Sequence, residues 1–513
     1  MQQPLEIVIL GGGTAGWMTA AGLASRIPQE RCRVRLVESD EIGIVGVGEA
    51  TLPLIKNFND SIGIDEAEMM RATNATFKLG IDFIDWGYKG SRYIHPFGVH
   101  GSANAGLGFH QEWLRAKRAG RDWDIQEFSF ACMAARHNRF DFPAVGARTI
   151  NSTLSYAYHF DASLYAKFLR SQAEPRGVQR IEGKVRDVEQ DPETGDIRAL
   201  IMESGERIAG DFFIDCSGFR SLLLAGRLGA EWEDWSQWLA CDRALPVPTE
   251  RQGDLTPYTR VIAMDAGWRW RIPLQHRTGN GYVFSSRFID EDKAREELLD
   301  SLDEKTLAEP RLLKFKAGRR TRSWIRNCVA IGLASGFLEP LESTSIYLIQ
   351  VAIMNLLPLL PTKRYDERLV DEFNTKIDLE YERIRDFLIL HYHATDREDT
   401  EFWRYCKSME VPESLERKMR LFRHSGVVPQ YREGLFTPPS WISVFFGQGV
   451  TPEHYNPLAD AMPIDRLLQT MDELREDIRD RVDEMPKHAS LLARYADAGT
   501  APATVVAESR EGL

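Results

Sequence analysis

The chain has 513 residues, of which 43% are hydrophobic and 27% are charged, and its formal net charge is −12. This length allows two or three packed domains, and the composition is that of an ordinary globular protein. The acidic balance argues against a nucleic-acid partner, because phosphate binding needs clustered lysine and arginine.

The first predicted element is a βαβ unit at the start of the chain. Residues 5–10, LEIVIL, predict a short buried strand, and the alanine-rich stretch that follows the glycines predicts a helix to about Arg26. Residues 33–40, RVRLVESD, predict the second strand. The turn between the first strand and the helix is rich in glycine, which is typical of a nucleotide-binding unit.

That turn carries the spacing Gly11-x-Gly13-x-x-Gly16. The first glycine permits a tight turn, the second lets the backbone approach a pyrophosphate, and the third lets helix and strand pack closely. The phosphates would rest on the helix N-terminus. Glu38 ends the second strand, 22 residues after Gly16, where a carboxylate would hold ribose hydroxyls.

Two later segments return to the nucleotide. Residues 205–221 predict a hairpin-like strand and then a buried strand that ends at Ser217 and Gly218. Residues 327–346 predict another buried strand, a glycine loop and a helix. By fold-level analogy this layout is that of FAD-dependent monooxygenases. No second GxGxxG follows a strand, so we predict no NAD(P)H domain and no easy reduction of the flavin by this chain.

The segments between these pieces are rich in aromatic residues. Residues 267–274, GWRWRIPL, place Trp268 and Trp270 on the same face of a predicted strand. On residue type alone, core packing is the favoured explanation for this pair. A charged helix is predicted at about 291–309.

The last third of the chain is predicted to be helical. Residues 343–362 carry no charge, but their prolines and amides favour a buried helix stopped by Pro358 over a membrane span. An amphipathic helix is predicted from apolar residues at three- and four-residue steps, namely Leu467, Met471, Leu474, Ile478 and Val482.

The predicted fold class is α/β. It is a FAD-binding, Rossmann-like fold of the flavoprotein monooxygenase type, with an interleaved substrate domain and a helical C-terminal part. The predicted boundaries are 1–60, 178–220 and 325–361 for the FAD-binding module, 61–177 and 221–324 for the substrate-side module, 362–497 for the helical region and 498–513 for a disordered tail.

Six motifs together resemble the flavin-dependent halogenases of the tryptophan halogenase type. They are GGGTAGW, GVGEATLP, FKLG, DCSGFRS, GWRWRIPL and FLEPLEST. They stand in the family's order and cover roughly the first 350 residues, which is more specific than any single pattern. After Pro361 the resemblance is loose, and Ser345 stands where many relatives have glycine.

The resemblance implies a cofactor and a halide. FAD, used as FADH2, would react with oxygen to a flavin hydroperoxide, which would oxidise chloride or bromide to hypohalous acid. The cofactor-binding residues it implies are Gly11, Gly13, Thr14, Ala15, Gly16, Glu38, Gly48, Glu49, Ala50, Val185, Ser217, Gly218, Leu333 and Ile346.

The resemblance places the halide at Thr344 and Ser345. Their backbone N–H groups would lie at the open N-terminus of a helix that begins after Pro340, where anions bind without a charged side chain. The alternative is that Ser343 or Thr344 only caps this helix. The serine at position 345 would be strained if that position needs a positive φ.

Two catalytic residues are implied, Lys78 and Glu342. Lys78 would hold hypohalous acid as an ammonium group, or form a haloamine as a neutral amine, and the sequence leaves both open. Glu342 would orient the oxidant and accept the proton of the ring. Without the resemblance, a surface lysine and a helix-start carboxylate would be the expected roles.

The resemblance also implies which residues lie on the substrate side. They are His95, Phe97, Trp268, Trp270, Ser343 and Trp441, and the two tryptophans of the strand would separate flavin from substrate. Residues 437–452 contain neither a tyrosine pair nor an acid. Because burying the charges of free tryptophan would need polar partners, we expect indole or a simple derivative as the substrate.

The predicted partners are a separate flavin reductase and a small aromatic substrate, without nucleic acid or membrane. A homodimer is left open. The six cysteines form no CxxC pair and the first apolar run leads into glycines, which predicts a cytoplasmic protein without a signal peptide. His391 and His393 lack a third metal ligand at useful spacing, so they are taken as structural and no metal is expected.

Two other functions remain open from the sequence. An aromatic hydroxylase would use the same FAD fold but would need neither a halide site nor Lys78. A non-catalytic flavoprotein would bind FAD tightly without turnover. A halide-dependent product distinguishes the halogenase from both.

Overall fold

The computed structural model describes residues 3–42, 48–102, 106–144, 149–431 and 434–497. The predicted tail at 498–513 and the first two residues of GVGEATLP lie outside the described residues. Within the described ranges, no helix combines the length and the apolarity that crossing a membrane requires.

The strands, numbered in chain order, are β1 (Leu5–Leu10), β2 (Cys32–Glu38), β3 (Gly48–Ala50), β4 (Thr76–Lys78), β5 (Gly80–Ile84), β6 (Arg92–Pro96), β7 (Ala157–Asp161), β8 (Gln179–Glu182), β9 (Val185–Gln190), β10 (Ile197–Met202), β11 (Arg207–Ala209), β12 (Phe212–Asp215), β13 (Trp232–Asp234), β14 (Arg243–Thr249), β15 (Thr259–Met264), β16 (Gly267–Pro273), β17 (Thr278–Phe284), β18 (Leu313–Lys314), β19 (Gly318–Arg320), β20 (Trp324–Ile325), β21 (Cys328–Ala330) and β22 (Gly336–Phe337).

The α-helices are α1 (Thr14–Arg26), α2 (Leu54–Ser61), α3 (Glu66–Thr73), α4 (Phe109–Arg118), α5 (Phe130–Arg136), α6 (Ala162–Ala173), α7 (Glu291–Asp300), α8 (Thr344–Leu356), α9 (Glu367–His393), α10 (Glu401–Ser408), α11 (Glu413–Ser425), α12 (Pro438–Gly447), α13 (Ile464–Glu484) and α14 (His488–Asp497).

The predicted Rossmann-like sheet is confirmed. Six strands lie in the order β20-β21-β12-β1-β2-β8, and all pairs except β20–β21 are parallel. β1 is buried along nearly its whole length, because Ile7 and Ile9 pack in a cluster with α1, whereas Val8 packs on the other face with β9, β10 and β11. The two late segments of the chain contribute β12 and β21, so both return to this sheet as predicted.

Two glycines of the first turn have the roles expected for them. Gly11 has φ +111°, and a Cβ there would lie 2.2 Å from the Cys216 carbonyl oxygen. A Cβ on Gly16 would lie 1.8 Å from the Gly11 carbonyl oxygen. Only glycine therefore allows β1 to turn and α1 to pack against it.

A seven-stranded mixed sheet forms the second layer, in the order β18-β14-β17-β16-β15-β5-β6. It joins β5 and β6 to the strands between 243 and 314, so both predicted segments of the substrate side share one sheet. A small sheet in the order β3-β7-β4 contacts the central strands β16 and β17 through β3, and it carries Lys78 at the end of β4.

One predicted helix end needs correction. The charged helix expected at about 291–309 ends at Asp300, and Thr306 bridges to Thr249 instead. The buried, uncharged helix stopped near Pro358 is confirmed: α8 ends at Leu356, and Pro358 lies in the 3-10 turn that follows. The amphipathic helix is confirmed as α13, which buries the predicted residues Leu467, Met471, Ile478 and Val482 and leaves Leu474 partly buried.

Candidate active site

A cavity of about 1350 Å³ lies beside the glycine turn. Twelve of the fourteen predicted cofactor-binding residues line it, namely Gly11, Gly13, Thr14, Ala15, Glu38, Glu49, Ala50, Val185, Ser217, Gly218, Leu333 and Ile346. Gly16 packs against the turn instead, and Gly48 begins β3 next to the lining residue Glu49.

The residues of this cavity fit a dinucleotide. A Cβ built on Gly13 meets no atom within 4 Å, so the start of α1 is open to the cavity and its N–H groups are accessible to phosphates. Glu38 is held at the cavity edge by Arg180, whose Nε lies 2.5 Å from Oε1, and by the Trp17 indole N–H at 3.3 Å from Oε2. Helix α6, placed by the predicted boundaries on the substrate side, also lines this cavity.

One acidic residue in the cavity wall is unusual. Burial, together with the charge of Asp161, raises the pKa of the Glu49 carboxyl to about 7. A carboxyl in this range can be neutral beside a bound anionic cofactor, where an ionised one would be repelled.

The two tryptophans of β16 form part of the same wall. Trp268 and Trp270 both line the cavity, and their ring centroids lie 6.0 Å apart at 57°. This confirms that they project from one face of the strand. The Trp268 indole donates a hydrogen bond to Glu339 Oε2 at 3.2 Å, and Gly281 leaves room for the Trp270 ring, which a Cβ would meet at 2.1 Å.

The segment from Pro340 to Ile346 reaches two compartments. A 3-10 turn, Pro340–Glu342, is followed by Ser343 in the left-handed region with φ +61°, and α8 begins at Thr344. Ser343 and Ser345 line the cavity, whereas Glu342 and Thr344 are fully buried outside its lining. Alternate residues of this segment therefore serve different sides.

The structure answers two questions that the sequence left open in this segment. Ser343 occupies the N-cap position of α8 but makes no capping hydrogen bond, because its hydroxyl accepts one from Lys78 instead. Ser345 lies within the first helical turn and has no positive φ, so its backbone is not strained by the presence of a Cβ. The Thr344 hydroxyl is buried and has no hydrogen-bond partner among the described residues.

Lys78 lies at the end of β4 and is fully buried. Its Nζ donates to the Thr51 carbonyl at 3.0 Å and to Ser343 Oγ at 2.8 Å, and it lies 5.0 Å from the centroid of the Phe97 ring. Burial lowers the pKa of the Lys78 amine to about 7, and the charge of Glu342 opposes that shift. Both the ammonium and the neutral amine are accessible near neutral pH.

The Glu342 carboxyl lies between two histidines, and all three side chains are almost completely buried. His95 Nδ1 lies 3.0 Å from Oε1 and 2.9 Å from Oε2. His391 Nε2 lies 2.8 Å from Oε1, which is the length of an ion pair, although among the described residues it lacks the alignment of a hydrogen bond. Burial would raise the pKa of Glu342, but the two histidines outweigh it and lower that pKa to about 2.

His391 is the residue that sequence reasoning missed. It was taken as a packing residue, yet helix α9 carries it directly to Glu342. The sequence LHYH contains no local signal for this contact, because the residues meet only when α9 crosses the 3-10 turn before α8. His393 is partly buried, with Nδ1 3.3 Å from the Cys406 carbonyl.

An aromatic wall continues from His95 to Trp441. The Phe387 ring stacks on Phe436 with centroids 3.8 Å apart, and it meets the edge of Trp441 at 4.9 Å and His95 at 5.6 Å. Lys418 covers the outer face of Trp441, with Nζ 3.7 Å from the ring centroid. The predicted substrate-side residues His95 and Trp441 thus belong to one apolar surface.

One group of potential metal ligands occurs among the described residues, His424, Glu453 and His454. All three side chains are exposed, and the group includes neither His391 nor His393.

Comparison with known proteins agrees with this geometry. A sequence profile described as tryptophan halogenase matches residues 6–464. Tryptophan 6-halogenase ThaL of Streptomyces albogriseolus is 38% identical over 488 residues, 88% of this chain and 90% of that protein. Tryptophan 7-halogenase RebH of Lentzea aerocolonigenes is 33% identical over 521 residues, 93% of this chain and 95% of that protein.

Solved structures are similar over almost the whole chain. BrvH, a flavin-dependent halogenase from Brevundimonas sp. BAL3, superposes with a TM-score of 0.93 at 45% identity, covering 96% of this chain and 99% of that one. A flavin-dependent halogenase from Xanthomonas campestris gives a TM-score of 0.93 at 48% identity, covering 98% of this chain and 100% of that one.

Proposed function

Because this chain belongs to the tryptophan halogenase family of flavin-dependent halogenases, we propose that it places chlorine or bromine on an indole-type ring through Lys78 and Glu342. The observation that carries the proposal is the Lys78–Ser343 hydrogen bond. Ser343 lines the large cavity, and its hydroxyl accepts a hydrogen bond from Lys78. The buried lysine therefore lies directly behind a residue of the cavity wall.

The cavity would hold FAD. The open start of α1 would take the pyrophosphate, and Glu38 would take the ribose hydroxyls. When bound in its reduced form, this cofactor supplies, with oxygen, the oxidising equivalent that turns halide into hypohalous acid.

The halide would bind at the start of α8. The first N–H groups of a helix have no intrahelical partner, and those of Thr344 and Ser345 occupy that position. The unpartnered Thr344 hydroxyl adds a further donor. Bromide is expected to be used better than chloride, because it is more easily desolvated and oxidised.

Trp268 and Trp270 would keep an organic substrate away from the flavin. Both rings line the cavity, and the hydrogen bond to Glu339 fixes the orientation of the Trp268 ring. Hypohalous acid, which is much smaller than an indole, would pass the wall near Ser343. Direct oxygen transfer to the ring would thereby be disfavoured.

Lys78 and Glu342 would complete the transfer. Lys78 donates to two fixed acceptors, so the third N–H of its ammonium form is free to hydrogen-bond hypohalous acid. As the ring carbon takes the halogen, the halogen–oxygen bond breaks and the Lys78 ammonium protonates the departing hydroxide to water. The ring then loses its proton to the Glu342 carboxylate, and passage of that proton to Lys78 restores both groups.

The substrate proposed is an apolar indole. The surface formed by His95, Phe387 and Trp441 is aromatic, and helix α12, which carries Trp441, has no charged residue. The relatives ThaL and RebH are named for tryptophan, whose amino and carboxylate groups would need polar partners in such a site. We therefore expect kcat/KM for indole to exceed that for tryptophan.

A separate enzyme would supply the reduced flavin. The glycine turn at 11–16 is the single GxGxxG that follows a strand in this sequence, and it serves the cavity already assigned to FAD. The chain should therefore fail to oxidise NADH by itself. NADH consumption by the purified protein with FAD at turnover rates would contradict this.

The test is incubation with FAD, NADH, oxygen, a flavin reductase and a panel of indoles, with bromide, with chloride or without halide. Mass spectrometry should detect a halogenated indole only when both halide and reductase are present. A preference for tryptophan over indole of more than about tenfold, equal to about 1.4 kcal/mol of transition-state binding, would contradict the substrate part alone. Absence of any halogenated product would contradict the whole.

A further inference from the structure

The contacts of His391 indicate which of its ring nitrogens carry hydrogen. His391 Nδ1 lies 2.8 Å from the Phe387 carbonyl oxygen one helical turn earlier. A carbonyl oxygen only accepts, so Nδ1 must donate and carry hydrogen. If the imidazole were neutral, its Nε2 would then present a lone pair to Glu342.

Such a lone pair cannot lie stably against an ionised carboxylate. Nε2 is 2.8 Å from Glu342 Oε1, and both side chains are fully buried, so no solvent screens their repulsion. The contact needs one more proton, either on Nε2 or on Glu342. His95 Nδ1 also contacts both carboxylate oxygens, and the nearby Lys78 acts on Glu342 through its charge, so the surroundings favour the ionised carboxylate.

The other groups that surround Glu342 and His391 do not place a proton between Nε2 and Oε1. On β4 the buried Lys78 acts on Glu342 through its charge, and on β6 lie His95 and Tyr93. Burial keeps the pKa of the Tyr93 phenol well above its usual value, so this group stays neutral. The ring of His391 is otherwise enclosed by the uncharged rings of Phe83, Trp86 and Phe387.

We propose that His391 is a positioning residue for Glu342, and that a proton on its Nε2 holds this carboxylate ionised and in place to receive the ring proton. The proposal rests on the proposed function, in which Glu342 is the proton acceptor. Helix α9 fixes the imidazole through the Phe387 carbonyl, and Gln448 at the end of α12 donates from its amide to the backbone carbonyl of His391 at 3.0 Å. The pair Glu342–His391 thus acts as one unit with a single shared proton.

Two substitutions separate this role from packing. His391→Gln keeps a donor near the position of Nε2 but cannot carry charge, whereas His391→Phe keeps a ring and removes the donor. His393→Gln is the matched control, because His393 lies on the same helix and contacts the Cys406 carbonyl rather than Glu342.

The expected results concern kcat and its pH dependence. With wild-type halogenation established, His391→Gln should lower kcat about tenfold, with KM for indole changed less than about twofold, and His391→Phe about a hundredfold. The activity ratio of His391→Gln to wild type should fall further as pH is lowered from 8 to 5, because Glu342 that has lost the charge of His391 is protonated at a higher pH than in the wild type. His393→Gln should stay within about twofold of wild type at every pH.

The outcomes distinguish the two proposals. A wild-type enzyme that yields no halogenated product contradicts the proposed function itself. A wild-type enzyme that halogenates while His391→Phe keeps its kcat and pH profile overturns only the role of His391.

A measurement on the wild-type chain covers the case in which neither variant folds. With ¹⁵N-labelled histidine at pH 7, NMR should detect a doubly protonated imidazole whose ring protons exchange slowly with water, because the group is buried. A spectrum in which the imidazole of His391 is neutral would overturn the proposal.

Discussion

The two sides of the segment from Glu342 to Ile346 differ in polarity and in access. Ser343, Ser345 and Ile346 face a cavity of about 1350 Å³, whereas Glu342 and Thr344 are completely buried. The cavity side offers backbone N–H groups and hydroxyls, and the buried side offers a carboxylate, two imidazoles and an amine. One short segment thus separates a region suited to making an oxidant from a region suited to directing it.

This difference assigns separate tasks to the two sides. The cavity side can bind a large cofactor and an anion without a cationic side chain whose pKa is strongly shifted. The buried side holds two groups whose pKa values are both lowered from their usual ranges, to about 7 for Lys78 and to about 2 for Glu342. Groups with pKa values set apart in this way are typical of acid and base partners.

The largest effect should come from removing the amine of the buried side. Lys78→Ala should lower halogenation more than about a hundredfold, because no cation remains to hold hypohalous acid and protonate its hydroxide. FAD affinity and peroxide release should be unchanged, since Lys78 does not line the cavity. Turnover and FAD binding are measured in parallel.

Lys78→Met is the control for this variant. It fills the same space without charge, so it should be equally inactive while melting at a temperature no lower than wild type, because a buried amine is costly. Retention of more than a few per cent of turnover in either variant would contradict the role of Lys78.

The pH dependence of kcat should show which protonation form of Lys78 acts on the buried side. In the ammonium form Lys78 can donate to hypohalous acid, and this form is lost as pH rises through its pKa of about 7. The kcat for bromination should therefore fall about tenfold for each unit well above pH 7. A kcat that instead falls as pH decreases through 7 would indicate the neutral amine and a haloamine.

The separation between the cavity side and the buried side should be weakened by substituting a tryptophan of β16. Trp268→Leu removes a ring from the cavity wall and its hydrogen bond to Glu339. The fraction of oxidant found in halogenated product should drop about five- to tenfold, with a matching rise in peroxide, because the wall no longer directs the oxidant. Unchanged coupling with normal FAD binding would show that the ring only packs.

The smallest effect is expected on the cavity side, at Ser345. Ser345→Gly restores the residue that many relatives carry, but position 345 is helical without a positive φ. KM for halide should change less than about twofold, and the free energy of unfolding should fall by about 0.5 kcal/mol or less. A large gain in halide affinity would show that the serine side chain obstructs the site.

The cavity side was the more predictable of the two. Gly11, Gly13 and Gly16 act through their own backbone, so their spacing alone predicts the turn and the start of the helix. Lys78 and Glu342 were predicted because they stand inside motifs. The residues that modify them were not, because those contacts join distant parts of the chain.

Two examples illustrate this limit. Capping of α8 by Ser343 or Thr344 was an alternative that the sequence left open, but the Ser343 hydroxyl accepts a hydrogen bond from Lys78, 265 positions away in the sequence. His391 has no motif of its own and reaches Glu342 only through the course of α9. Local pattern predicts which backbone an element forms, whereas the partner of a buried polar atom depends on packing between elements.

The most direct test of this separation of tasks is the fate of oxygen when halide is absent. The reductase-coupled reaction is run with indole under ¹⁸O₂ in halide-free buffer, and then with bromide added. The account predicts peroxide but no ¹⁸O-labelled indole without bromide, and brominated indole once bromide is present. Labelled hydroxyindole formed at rates comparable to bromination would contradict it, because the ring would then meet the oxidant on the cavity side.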